Sequence, residues 1–179
     1  MLAFPDSYPS ADALRAACRQ AVGGRELKRI TDRASHAPFS PYNIRLYRQT
    51  YYGIRDLLHP LVRDRAVSVL PMQEPQPDKP WLLEICPAST LKKRGLYQSS
   101  YKGRGEQKRE ARVRIVEALE RQEDVLVPRD TRTGLIEDSG GDALDSVVAA
   151  LAVSEALRHP DFPTVEHHRA YAVEGYIYV

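Results

Sequence analysis

The chain has 179 residues, of which 42% are apolar and 28% charged, and its formal net charge is +2. This length suits one compact domain spanning residues 1–179, and the apolar fraction is enough to fill one core. No stretch reaches the ~18 consecutive apolar residues of a membrane span. The first twenty residues carry Asp6, Asp12, Arg15 and Arg19 in place of a secretory apolar core, which predicts a cytoplasmic protein. Cys18 and Cys86 are too few for a disulfide framework and too far apart for metal-ligand spacing, so both are expected reduced.

In chain order, Ser10 is an N-cap for a helix that runs to Gly23 and Gly24. Residues 25–40 show no clean period and read as a loop with room for one helical turn. Ser40 and Pro41 then supply a cap and a first-turn proline. After them Ile44, Tyr47, Tyr51, Ile54, Leu58 and Leu61 recur at spacings of three and four, which predicts one long amphipathic helix. Pro60 should kink or end it near His59. Tyr47, Tyr51 and Tyr52 lie on this helix, where aromatic rings can stack on bases, but Tyr47 and Tyr51 fall on the apolar stripe and are expected in the core.

AVSVL (66–70) reads as a short strand and WLLEIC (81–86), bounded by Pro80 and Pro87, as a buried one. Residues 106–122 and Asp142–Leu157 are predicted helices. The terminal EGYIYV has the aromatic and β-branched character of an edge strand. His167 and His168 follow Glu166 on a polar segment and read as solvated residues.

Charge is segregated along the chain. From Lys92 to Ile115 nine bases stand against two acids, a net of +7, and from Val116 to Asp145 nine acids stand against three bases, a net of −6. Adjacent opposite blocks pair as solvated helix faces, or they set a phosphate-binding surface beside a cation-binding one.

Three acids carry the chemical question. Glu84 lies inside an apolar run, where it either points to water from an edge strand or needs a metal or a close base, since an unpartnered buried carboxylate costs several kcal/mol. Asp142 and Asp145, three apart at the start of a helix, either cap it or repel each other unless a cation sits between them. Asp138 and Ser139 are alternative caps that would release both. One strand carboxylate and two helical ones are a donor set for one or two Mg²⁺ or Mn²⁺ ions in phosphodiester hydrolysis.

The order LLEICPAS, YKGRGEQKREAR, GGDALDSVVAALAVSEAL and VEGYIYV resembles family 429 of domains of unknown function, regarded as predicted RNase H-like nucleases. The matching positions are Glu84 and Pro87; Tyr101, Lys102 and Gly103; Arg109 and Arg112; Asp142 and Asp145; and Glu174, Gly175 and Tyr176, over roughly residues 40–179. The resemblance implies an α/β, RNase H-like fold with a helical insertion. It also implies that Glu84, Asp142 and Asp145 are catalytic Mg²⁺ or Mn²⁺ ligands and that Lys102, Arg109 and Arg112 hold the phosphate of a DNA or RNA substrate. The sequence departs from the pattern at its start: such a fold opens with a β-hairpin bearing an essential Asp, and nothing before residue 66 reads as three strands. Asp6, the early acid beside an apolar stretch, follows Pro5 and sits in no strand. Either an N-terminal piece lies outside this sequence, or the protein is a shortened relative that has lost catalysis. The expected function is therefore a metal-dependent nuclease, with a non-catalytic nucleic-acid-binding or protein-interaction module on a degenerate RNase H-like scaffold as the alternative.

Overall fold

A computed structural model describes residues 7–121, 125–159 and 169–179. They form a mixed α/β structure in which helices dominate and the strands are two residues long. The chain divides into two compact units, Met1–Glu84 with Pro163–Ile177 and Ile85–Phe162 with Tyr178–Val179. None of the described helices is long and apolar enough to cross a membrane.

In the first unit, helix α1 (Ala11–Ala21) starts as its sequence requires, with the Ser10 hydroxyl accepting the Ala13 N–H at 3.1 Å. It buries Ala11 and Leu14 against Tyr47 and Tyr51. The two tyrosines keep their hydroxyls satisfied by donating to the Asp12 carboxylate and the Tyr8 carbonyl, each at 2.8 Å. The loop expected over 25–40 contains the five-residue helix α2 (Ile30–Ala34), whose N-terminus is closed by Asp32 accepting the Arg29 N–H at 2.8 Å.

The long helix expected from Pro41 begins later. Residues 41–46 form turns, Ile44 is 63% exposed, and the helical run starts at Tyr47. It comprises α3 (Tyr47–Tyr52), a π-helical stretch (Gly53–Leu58) and α4 (His59–Arg63). Pro60 does not end it. Proline lacks the N–H that would bond back to Asp56 and its ring crowds that carbonyl; the wider π turn immediately before it gives the ring room, so the chain stays helical to Arg63.

Strand β1 (Ser68–Val69) pairs in parallel with β2 (Trp81–Leu82), Ser68 opposite Trp81 and Val69 opposite Leu82. The run Trp81–Cys86 is thus not one buried strand. It breaks at Leu83 into β2 and β3 (Glu84–Ile85), all of it at least partly exposed, because β2 pairs with β1 whereas β3 pairs with the terminal β4 (Ile177–Tyr178).

The second unit holds α5 (Pro87–Lys93), α6 (Glu106–Arg121), α7 (Arg129–Glu137) and α8 (Asp142–Arg158). Helix α9 (Tyr171–Glu174) belongs to the first unit. Helices α6 and α8 match the expected spans to within a residue at each described end. Helices α5 and α7, which the apolar periodicity does not announce, each start at a proline boundary, Pro87 at the first helical position and Pro128 just before. One core joins the four helices around Leu91, Ile115, Val116, Leu119, Leu144 and Val148, all nearly inaccessible. Since Leu144 sits fully buried at its centre, Leu144→Ala should destabilise the unit by about 2–5 kcal/mol through lost burial and a residual cavity, read as a lower urea midpoint at unchanged slope.

Candidate functional site

In the second unit the segment 138–145 turns the chain from α7 into α8. Gly141 adopts φ 75, a left-handed conformation, and a Cβ there would lie 3.1 Å from Lys102 Cγ and 3.2 Å from Tyr101 Cε2. Glycine is therefore favoured by its backbone conformation, and the close approach leaves little room for a Cβ. The helix is capped by Asp138, whose carboxylate accepts the Ala143 and Gly140 N–H groups, each at 2.9 Å. The Ala143 N–H above all, with those of Gly140, Asp142 and Gly141, holds the Asp138 carboxyl below the usual carboxylate range.

Capping by Asp138 leaves Asp142 and Asp145 for other work. The cation that their spacing demands is the ammonium of Lys102, at 2.5 Å from Asp145 Oδ2 and 3.4 Å from Asp142 Oδ1. The Tyr101 hydroxyl donates a short hydrogen bond to Asp145 Oδ1. Burial first, and then the bond to the Asp145 anion, pushes the Tyr101 phenol well above its ordinary value, so it stays a neutral donor. Burial alone would lower the Lys102 ammonium, but Asp145 and then Asp142 outweigh it and raise it. Asp145 is mostly covered, while Asp142 is 88% exposed.

Arg112 fixes this arrangement. It is 3% exposed, and it donates to the carbonyls of Ile136 (2.6 Å), Tyr101 (2.7 Å) and Gly103 (3.2 Å). Its guanidinium thus ties the Tyr101–Gly103 loop to the last turn of α7, whose carbonyls lack helical partners. Here the structure gives Arg112 a role other than the expected one: buried, with its Nε and Nη1 donors on carbonyls, it anchors the site. Arg109 is partly exposed and pairs with Glu137 at 2.8 Å and Glu106 at 3.6 Å.

Glu84 lies in the first unit, and its partner is a base. Arg29 grips both carboxylate oxygens, at 2.6 and 2.8 Å, and also bonds Asp32 at 2.7 Å and the Glu174 carbonyl at 3.0 Å. The Glu174 carboxylate accepts the Ile30 N–H at 2.8 Å. Gly175, at φ 85, brings the backbone close to this pair, with an added Cβ meeting Glu84 Oε2 at 3.5 Å and Arg29 Nη1 at 3.6 Å. Arg29 and Asp32 escape a reading of periodicity; their spacing of three beside a polar loop is the signal that they carry.

As arranged, these residues do not fit a divalent ion. Among the described residues no three His, Cys, Asp or Glu side chains form a group able to hold one. The gap between the aspartates is spanned by the Lys102 ammonium, and Glu84 is engaged by Arg29. Tyr47 and Tyr51 are core residues, as expected, and Tyr52 is exposed. Asp6, Glu166, His167 and His168 lie outside the described residues. No family model, no curated protein and no solved structure matches the chain.

Two outcomes follow from the cap and the anchor. Because the Asp138 carboxyl is depressed in the folded state, its stabilisation is complete above its unfolded value near 3.8 and is lost as pH falls through the folded one. Wild type should therefore lose melting temperature on acidification below about pH 4 by an increment that Asp138→Ala lacks. Arg112→Met leaves three carbonyls without a donor and should cost about 2–4 kcal/mol in chemical denaturation.

Proposed function

We propose that the protein binds the phosphate backbone of a nucleic acid through the turn Lys102–Lys108, as a non-catalytic module on an RNase H-like scaffold. One observation carries this reading. Most bases of the basic block are answered by acids or carbonyls, yet Arg104 and Lys108 make no ion pair among the described residues, and both stand at the entry to α6. Gly103 at φ 120 and Gly105 at φ 99 turn the chain into that helix, whose first N–H groups have no helical acceptors. Two side-chain cations beside such a terminus suit an anionic backbone, without any sequence code. The order of motifs that resembles the nuclease family supports the same ligand class.

A metal-dependent nuclease is the second reading. It is favoured by the Asp138 cap, which leaves Asp142 and Asp145 facing one cation. On that reading Lys102 stands where a metal would be needed.

Fluorescence anisotropy with labelled single- and double-stranded DNA and RNA tests the first reading. Affinity should fall by orders of magnitude between about 50 and 200 mM salt if several phosphates are held, and Arg104→Glu with Lys108→Glu should reduce the salt slope by about one unit per lost contact. An affinity that ignores both substitutions removes the proposal. The readings separate on melting temperature in Mg²⁺ or Mn²⁺: the binding module shows no shift specific to the aspartates, whereas a nuclease shows one that Asp145→Asn abolishes.

A further inference from the structure

The first unit holds a half-open pocket of about 640 Å³, within the range of small-molecule sites. Its walls are mainly apolar, with Tyr42, Ile54, Leu58, Met72 and Leu82 among them, and Arg29, Glu84 and Glu174 also line it. The donors and acceptors at this polar edge are unequal. A guanidinium has five N–H donors, and those of Arg29 all have acceptors: Nε on Asp32, Nη1 on Glu84 Oε2 and the Glu174 carbonyl, Nη2 on Asp32 Oδ1 and Glu84 Oε1. Lys28, also on the wall, directs its ammonium to the carbonyls of Ala37 (3.0 Å) and Pro38 (3.5 Å). Each Glu84 oxygen accepts one Arg29 bond and the Glu174 carboxylate accepts the Ile30 N–H, although a carboxylate oxygen can take two. Acceptor capacity is left over beside a guanidinium whose donors are spent. Charge agrees, since the two cations Lys28 and Arg29 are set against the three acids Asp32, Glu84 and Glu174.

We propose that this cavity binds a small apolar molecule ending in a protonated amine, its body among the aliphatic side chains and its ammonium on Glu84 and Glu174. An anionic ligand would meet carboxylates whose partner arginine has no donor to offer. The site involves none of the residues of the proposed phosphate-binding turn.

Isothermal titration of the full chain at neutral pH with 4-phenylbutylamine, 4-phenylbutanol and 4-phenylbutyrate tests the assignment. The amine should bind about tenfold or more tightly than the alcohol, with the carboxylate weakest. Leu58→Trp fills the cavity and should remove amine binding at unchanged circular dichroism, and Glu84→Gln should narrow the gap between amine and alcohol. Should Glu84→Gln fail to fold, the ligand series on wild type still decides. Carboxylate binding equal to that of the amine, no binding by any of the three, or undiminished binding by folded Leu58→Trp would each overturn it.

Discussion

A guanidinium removed from water must have its N–H groups answered, because each unanswered donor carries its full desolvation cost. Both units are organised around this demand. In the second, Arg112 is answered by three carbonyls, and meeting them fixes where the Tyr101–Gly103 loop runs against the end of α7. The loop so placed carries Tyr101 and Lys102 onto Asp145, and Gly141, in a left-handed conformation, leaves little space for a Cβ beneath them. In the first unit Arg29 is answered by Asp32, Glu84 and the Glu174 carbonyl, which ties α2 to β3 and to the end of α9.

The charge blocks of the sequence are largely resolved by mutual pairing within the second unit. Arg94 meets Glu155, Arg109 meets Glu137, and Arg132 meets Glu120 at 3.0 Å and Glu117 at 3.8 Å. Partly exposed pairs of this kind contribute about 0–1 kcal/mol each, so they do little to hold the fold that the Leu91–Leu144–Val148 core already holds. Their effect is to neutralise most of the basic surface. Arg104 and Lys108 keep their charge without an ion pair among the described residues, a narrower feature than a net charge of +7 over the block suggests.

Features that depend on neighbours in sequence were legible in it: the Ser10 cap, the spans of α6 and α8, the burial of Tyr47 and Tyr51, the short strand at 68–69, and the strand character of the last residues. Features that depend on distant partners were not. Trp81–Cys86 has the composition of one strand, but its two halves pair with different elements, and composition does not encode a change of partner. The helix over 47–63 survives Pro60 through a π turn that the spacing of apolar residues does not reveal. Arg112 reads locally as one more base in a charged helix, and burial alone makes it an anchor.

The acids show the same division more sharply. A carboxylate set among apolar neighbours, and two carboxylates one helical turn apart, each require positive charge nearby; that requirement is local, so the sequence states it correctly. The source of the charge is not local. For Asp142 it is Lys102, forty residues earlier, which serves Asp145 as well, and for Glu84 it is Arg29, fifty-five residues earlier. A side-chain cation satisfies the electrostatic demand without any ion, yet it differs from a metal in what it leaves behind. Arg29 has fixed donors that are all consumed in the pairing, whereas the Glu84 carboxylate retains unused lone pairs. At Glu84, where the guanidinium has no N–H left to give, the acceptors therefore end in excess of the donors.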